Sequence, residues 1–130
     1  MIMNVIMWLT LICSTTQMGG SMEIPNEIIN AFNYGDASSL SAYLFDDVSL
    51  KIVDQDSRDK KMVTIEKLNK FFKNVNVSSF KLKHSSLRDD SGFFIGSLSA
   101  SKSVYRINCF FKRVNGHIYI HQIRIDNAKD

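Results

Sequence analysis

Residues 78–126 alternate between apolar and polar side chains over four consecutive stretches, and this periodicity constrains the fold more than any other feature of the chain. A period of two is typical of β-strands, because successive side chains point to opposite faces of a sheet. Two turn sequences, Asp90-Ser91-Gly92 and Asn115-Gly116, are typical of β-hairpins. The pattern therefore predicts strands near residues 78–87, 92–101, 103–114 and 117–126.

Three short helices are predicted before these strands. Ile24-Pro25 opens the first, because proline is tolerated at the start of a helix, and Gly35 ends it. Asp36 is expected to cap the second helix and Thr64 the third.

One further strand is predicted between the second and third helices. Apolar and polar residues alternate over 48–53, and the polar stretch 54–61 predicts a turn. Helices first and hairpin-linked strands last are typical of the α+β class. We expect N-terminal helices packed on one face of a curved antiparallel sheet.

The N-terminus differs from the rest of the chain. Residues 1–13 are almost wholly apolar and carry no charge, but a membrane-spanning helix needs roughly 20 apolar residues. The stretch fits the apolar region of a secretory signal peptide, and cleavage after Ser21 would place Gly19 and Ser21 where small residues are needed. We predict a signal peptide over residues 1–21 and one domain over residues 22–130.

Two locations follow from this prediction. The first is an exported protein, periplasmic or extracellular, with no stable membrane span. The alternative is a lipid anchor at Cys13, which is the weaker fit because the large Ile12 stands where a small residue is expected.

Charge and cysteine content exclude some classes of protein. A net charge of +3, from 16 Lys and Arg against 13 Asp and Glu, is well short of a nucleic-acid-binding face. Lys67, Lys70 and Lys73 line one side of the third helix, as a solvated face or as a patch for anions or a membrane surface. After signal cleavage Cys109 is the only cysteine, which excludes an internal disulfide and favours a buried apolar role.

The Asn115-Gly116 turn predicts which side chains share a face of the sheet. A two-residue turn pairs Val114 with His117, and each further pair steps outward by one residue on both strands. In the absence of a bulge, the predicted pairs include Phe111 with Ile120, Cys109 with Gln122, Ile107 with Arg124, Phe110 with His121, Asn108 with Ile123, and Arg106 with Ile125.

This register predicts a ligand-binding group. Tyr105, Gln122 and Arg124 would share the helix-covered face and project into a semi-enclosed pocket. The fixed fork of donors on arginine suits a carboxylate or phosphate, so we predict a small anionic or apolar ligand. The alternative is a salt bridge from Arg124 to Asp47 or Asp54.

The same register predicts an interface on the other face. Phe110, Tyr119, His121 and Ile123 would form a partly apolar surface there. Exposed apolar patches usually mark contact sites, so we predict homodimerisation through this face.

His84 is the candidate for catalysis. It follows Phe80 and Leu82 at alternate positions, so it is predicted to share their face, either as a general base in a pocket or as a hydrogen-bonded core histidine. We predict no metal, because His117 and His121 would lie roughly 13 Å apart on one strand. No sequence motif for a cofactor or for catalysis is present.

Four segments carry a resemblance to a known family; they are residues 24–44, 78–84, 105–112 and 120–125. In this order and spacing they resemble the uncharacterised bacterial family called domain of unknown function 4783. That family is similar to the nuclear-transport-factor-two-like, or cystatin-like, α+β fold. The resemblance implies a small secreted or periplasmic protein with a cone-shaped cavity between sheet and helices, and no established catalytic residues.

Three hypotheses for the function remain. The first is an exported, non-catalytic binding or interaction module of unknown ligand. The second is a pocket enzyme for proton transfer, with His84 as base and Tyr105 or Arg124 stabilising negative charge; it requires His84 and Arg124 to line one cavity. The third is a structural partner in an assembly of the cell envelope.

Overall fold

The computed structural model describes residues 24–128. In chain order these form α1 (Asn26–Tyr34), a 3-10 helix (Ala37–Tyr43), β1 (Leu44–Ile52), β2 (Gln55–Lys60), α2 (Lys61–Val75), β3 (Val77–Arg88), β4 (Ser91–Ala100), β5 (Val104–Val114) and β6 (His117–Asn127). The predicted signal peptide and the alternative lipid anchor at Cys13 lie outside the described residues.

The first helix begins and ends, and the second begins, where the sequence predicts. Pro25 precedes α1, and Gly35 ends it with a φ of 66°, a left-handed conformation that glycine adopts without steric cost. The Asp36 carboxylate accepts a hydrogen bond from the Ser38 N–H at 3.1 Å and caps the 3-10 helix.

All six strands form one curved, unclosed sheet in the order β2-β1-β6-β5-β4-β3. The four C-terminal strands pair antiparallel as consecutive hairpins, as the sequence predicts. By contrast, β1 lies parallel to β6, with Leu50 beside Ile123 and Lys51 beside Arg124. This pairing brings the first and last strands of the described chain together in the middle of the sheet.

The region between β1 and α2 differs from the prediction. The stretch expected to be a turn is the strand β2, and the turn itself is only Val53-Asp54, with Val53 at a φ of 56°. α2 begins at Lys61 and not at Thr64. Thr64 is fully buried, and its hydroxyl donates to the Lys60 carbonyl at 3.1 Å, so it does not cap the helix N-terminus.

The helices cover one face of the sheet, called here the inner face. An aromatic cluster fills the space between them: the Phe32 ring lies 5.3 Å from Phe80, 5.8 Å from Phe72 and 5.9 Å from Phe94 between centroids. The family resemblance predicts a cavity at this place, but the described residues form a packed core there. Cys109 belongs to this core as a free, fully buried thiol, as predicted.

Two β-bulges change the predicted faces. In β6, Phe111 pairs with Ile120 as predicted, but Phe110 pairs with Gln122, so His121 is an extra residue. From there on Cys109 pairs with Ile123 and Ile107 with Ile125, so the predicted pairs of Cys109 with Gln122 and Ile107 with Arg124 are wrong. A shift of one residue moves every later side chain to the opposite face.

The second bulge lies in β3. Leu82 pairs with Gly96 and His84 with Ile95, so Lys83 is the extra residue. Phe80 and Leu82 therefore point to the inner face, whereas His84 lies beside Ile95 on the opposite one. The prediction that His84 shares the face of Phe80 and Leu82 is wrong for this reason.

Candidate functional site

The face of the sheet opposite the helices, called here the outer face, carries the groups with unused binding capacity. Side chains on adjacent strands form rows across this face. One row contains His84, Ile95, Asn108, Arg124, Lys51 and Asp56; the next contains Ser86, Phe93, Phe110, Gln122, Ser49 and Arg58. Adjacent strands are about 4.8 Å apart, so neighbours in a row are within reach of one ligand.

A cleft opens on this face over β2, β1 and β6, with a volume of ≈ 430 Å³. We call it the polar cleft, and it is lined by Ser49, Leu50, Lys51, Asp56, Ser57, Gln122, Ile123 and Arg124. Two of the three predicted ligand-binding residues, Gln122 and Arg124, thus lie together, but on the opposite face from the one predicted.

Arg124 is the most unusual group in the polar cleft. Its Nε is buried and has no hydrogen-bond partner, and within residues 24–128 the side chain forms no ion pair. The predicted salt bridge to Asp47 or Asp54 is absent from these residues, since Asp47 pairs with Lys60 at 3.1 Å. A buried donor without a partner costs free energy, and water or a ligand in the cleft would supply the missing acceptor.

Asn108 strengthens this arrangement. It lies directly opposite Arg124 in the β5–β6 pairing, and its Oδ1 is also buried without a partner. An unsatisfied donor on Arg124 and an unsatisfied acceptor on Asn108 therefore belong to neighbouring side chains in the described structure. A ligand with both an anionic oxygen and a hydroxyl would satisfy the two groups together.

The remaining charges of the polar cleft are largely balanced. Lys51 Nζ lies 2.9 Å from Asp126 Oδ1, and Arg58 donates to the Ser49 hydroxyl at 2.9 Å. Asp56 lines the cleft without an ion pair in the described part of the chain. Arg124 is thus the lining cation without an ion pair in the described residues, and Asp56 is the lining anion without one.

A second concavity, of ≈ 350 Å³, lies towards the β3 edge. We call it the edge groove, and it is lined by Lys83, His84, Ile95, Gly96, Ser97, Tyr105, Arg106 and Ala128. No Asp or Glu contributes to this lining. His84 lines this groove, whereas Arg124 lines only the polar cleft. The arrangement that the enzyme hypothesis requires, with His84 and Arg124 in one cavity, is therefore not formed by these two concavities.

Tyr105 is separated from its predicted neighbours. It pairs with the buried Leu98, and its ring packs edge-on against Phe71 of α2 at 5.1 Å, so the ring lies on the inner side of the sheet. Gln122 and Arg124 lie on the outer face because of the bulge at His121. The prediction that these three residues share one face is wrong.

The predicted interface residues are divided in the same way. Ile123 is fully buried in the core, so its predicted place on the outer face is wrong. Phe110 and Tyr119 are partly exposed and lie on the outer face between buried neighbours. With Phe45 and Phe93 they form an apolar surface that we call the aromatic end; Phe45 and Tyr119 are 5.8 Å apart between ring centroids.

Cations surround His121 beside the aromatic end. Lys112 Nζ lies 5.8 Å from the centre of the Phe45 ring, a cation–π distance. Burial lowers the pKa of His121, and the positive charges of Lys112 and Arg58 lower it further. The neutral imidazole is therefore favoured in the folded protein.

Sequence reasoning missed several residues of the two clefts, namely Ser49, Lys51, Asp56, Lys83 and Arg106. The alternation over residues 48–53 does predict that Ser49 and Lys51 lie on the same side of a strand. Their position beside Gln122 and Arg124 depends on the parallel β1–β6 pairing, for which the sequence carries no local signal.

The described residues hold no cluster of three or more His, Cys, Asp or Glu side chains arranged for a metal ion. No helix among them is long and apolar enough to span a membrane.

Comparisons with known proteins agree with this fold. The family model DUF4783, domain of unknown function, matches residues 25–126. The crystal structure of a DUF4783 family protein from Bacteroides uniformis ATCC 8492 is 38% identical, with a TM-score of 0.78, and the alignment covers 83% of this chain and 100% of the other. No curated protein matches the sequence.

Two more distant structures show the fold alone. A domain of unknown function with a cystatin-like fold from Nostoc punctiforme PCC 73102 has 9% identity and a TM-score of 0.63, over 81% of this chain and 73% of the other. An NTF2-like protein from Cytophaga hutchinsonii ATCC 33406 has 13% identity and a TM-score of 0.58, over 79% and 91%. The chain belongs to the DUF4783 family and has the NTF2-like, cystatin-like α+β fold.

Proposed function

We propose that this protein is an exported, non-catalytic binding module that recognises an anionic group in the polar cleft. The observation that carries the proposal is the guanidinium of Arg124, which lines a water-accessible cleft with no partner in the described residues and with its Nε buried. Gln122 and Ser49 supply further hydrogen-bonding groups beside it. Arginine in such a position suits a carboxylate or phosphate, which it binds through two parallel hydrogen bonds.

The NTF2-like fold does not select a function, because the same architecture supports both binding and catalysis. Proton-transfer chemistry with His84 as base has less support, because His84 and Arg124 line different concavities. Export rests on the apolar residues 1–13 and belongs to the same proposal. Cell fractionation of the host, with mass spectrometry of the mature N-terminus, tests it; a cytoplasmic protein that retains Met1 would contradict export, and a lipidated Cys13 would support the alternative anchor.

Anion binding is tested by NMR titration of the labelled protein with acetate and with inorganic phosphate at constant ionic strength. We expect shifts of the backbone amides of Ser49, Gln122 and Arg124, and of the Arg124 Nε–H. Arg124→Gln should abolish these shifts. Arg88→Gln, which removes the same charge at an exposed site outside both concavities, should leave them unchanged. Equal shifts in Arg124→Gln and wild type would refute the proposed site.

Arg124→Leu separates a binding role from a structural role. Without an ion pair to break, the free energy of unfolding should change by no more than about 0.5 kcal/mol, as for most surface substitutions. Removing one partner of a buried ion pair would instead cost about 3–5 kcal/mol. Chemical denaturation of the two proteins measures the difference, and a loss in the larger range would assign Arg124 to stability.

Homodimerisation through the aromatic end is a second proposal, favoured by the partly exposed aromatic side chains Phe45, Phe93, Phe110 and Tyr119. Such rings are enriched at protein interfaces. Light scattering after size exclusion should give a dimer for the wild type and a monomer for Phe110→Glu. Val104→Glu, which adds the same charge at an exposed apolar position of β5, should remain dimeric. A strictly monomeric wild type would contradict the dimer and leave the aromatic end to a different envelope protein.

A further inference from the structure

The polar cleft and the edge groove adjoin each other on the outer face. In the β5–β6 ladder, Arg106 of the edge groove lies opposite Asp126. Arg124 of the polar cleft lies opposite Asn108, two residues further along each strand. The two arginines are therefore diagonal neighbours, with Cα atoms roughly 7–8 Å apart. One ligand that crosses from β5 to β6 would contact both.

The charges at this junction are not balanced. Asp126 lies between the two arginines but forms its ion pair with Lys51, at 2.9 Å. Neither Arg106 nor Arg124 has an ion pair or a hydrogen bond within residues 24–128. The two arginines, Lys51 and Asp126 together carry two net positive charges, so the junction attracts negative charge.

Cations continue on both sides of the junction. Lys83 lines the edge groove at β3, and Arg58 lies on β2 at the other edge of the sheet. These outermost strands are separated by five strand spacings in the observed order, which is roughly 24 Å. We call this set of cations the band; cations outnumber anions along it, although Asp126 and Asp56 lie among them and β4 contributes no charge.

The shape of the band favours an extended ligand. Sites for small molecules usually enclose most of the ligand and are lined mainly by apolar groups. The polar cleft is instead open and largely polar, the edge groove is open with a mixed polar and apolar lining, and each supplies only part of the band. Several contacts along one chain also raise the affinity of a polymer above that of its single units.

The chemistry beside the cations favours sugars over bases. Proteins that bind single-stranded nucleic acids combine a positive groove with aromatic rings that stack on the bases. Phe93 and Phe110 share a row with Gln122 and Arg58, but the rows of Arg106 and Arg124 contain no Phe, Tyr or Trp. Amides and hydroxyls accompany the cations instead, and suit a polymer rich in hydroxyl groups; they are Ser49, Ser97, Asn108 and Gln122.

We propose that the outer face binds an acidic polysaccharide, whose carboxylates contact Arg106 and Arg124 while its hydroxyls contact Asn108 and Gln122. The proposal rests on the anion site proposed above and names its ligand class. The polymer lies across the strands, from the edge groove into the polar cleft.

Binding of oligogalacturonate and of monomeric galacturonate, measured by calorimetry at several salt concentrations, tests the proposal. The oligomer should bind at least about tenfold more tightly than the monomer. The double variant Arg106→Gln/Arg124→Gln should weaken oligomer binding by at least about tenfold. Because two cations that contact the ligand are lost, the slope of log affinity against log salt should become less steep by about two.

The matched control is Lys70→Gln with Lys73→Gln, which removes two charges from the exposed side of α2. We expect its affinity to remain within about twofold of the wild type, because these lysines lie on the other side of the sheet. Equal losses in the two double variants would refute the band as a specific site, since net charge alone would then explain the binding.

Other results would overturn the proposal in distinguishable ways. An oligomer that binds no more tightly than the monomer, while acetate still shifts the Arg124 Nε–H, would leave the anion site and reject the polysaccharide. Tighter binding of a single-stranded oligonucleotide than of oligogalacturonate would reject the ligand class. Absence of any binding that depends on Arg124 would reject both the polysaccharide and the anion site.

Discussion

The two faces of the sheet use the same strands for different purposes. On β4, Phe94 and Leu98 point to the inner face and are fully buried, whereas Phe93 and Ile95 point to the outer face and are partly exposed. The inner face is largely apolar at its centre and packed against helices. The outer face combines aromatic rings, paired ions and two arginines without partners. The difference indicates that burial of the inner face provides the stability, while the outer face remains available for ligands.

The largest expected difference between the faces is between two adjacent phenylalanines. Phe94→Ala should lower the free energy of unfolding by about 3–5 kcal/mol, because the ring contacts Phe32, Phe80 and Phe111 in the core. Phe93→Ala is the matched control on the outer face and should cost about 1 kcal/mol or less. Urea denaturation of both variants measures the contrast. Equal losses would show that the outer face is also part of the packed core.

An intermediate effect is expected at Gly96 on the inner face. A Cβ at this position would clash with the ring of Phe80 and approach the Lys81 carbonyl oxygen to 2.9 Å. Gly96→Ala should therefore destabilise the protein by about 1–3 kcal/mol, as overpacking does elsewhere. Ser97→Ala, one residue along and on the outer face, is the control with little expected change. If thermal unfolding shows no loss for Gly96→Ala, the Phe80 ring is free to move, and the inner face is less tightly packed than described.

The smallest expected effect is the dependence of stability on pH through His121, on the outer side of the sheet. Burial and the charges of Lys112 and Arg58 lower the pKa of His121 below its ordinary value of 6.5. The unfolded chain therefore binds a proton more readily than the folded protein. The contribution of His121 to stability is present above pH 6.5 and is lost as the pH falls towards the lowered pKa.

His121→Gln removes this titration, so its melting temperature should fall less than that of the wild type on mild acidification. Thermal melts of both proteins across this pH range give the difference in melting temperature at each pH. The carboxylates are the same in both proteins, so their titration cancels in this difference. A wild type that is stabilised relative to His121→Gln as the pH falls would contradict the direction of the shift.

The sequence predicted the elements of the fold well, because their signals are local. Alternation of side chains marked the four C-terminal strands, and Gly35 and Asp36 marked the ends of helices. The Asn115-Gly116 turn predicted the pairing of Val114 with His117. Each of these features depends on a few neighbouring residues.

The candidate site could be predicted only in part, because it depends on non-local structure. Gln122 and Arg124 were recognised as unusual polar residues in an apolar strand, but the bulge placed them on the other face. Ser49 and Lys51 became their neighbours through a parallel pairing between strands that are distant in sequence. The sequence did carry a signal of the bulge, because two consecutive polar residues, His121 and Gln122, stand between Ile120 and Ile123 and shift the phase of the alternation.

The extra residue at His121 has a consequence for comparing this protein with its relatives. A homologue that lacked only this position would pair as a regular strand, with Gln122 directly after Ile120, and would still direct Gln122 and Arg124 outward and Ile123 and Ile125 inward. Aligned positions after this point therefore lie on the same face of the sheet whether or not the extra residue is present. A gap at His121 in an alignment would thus mark a straightened strand, and the groups that β6 shows to solvent beyond it would be unchanged.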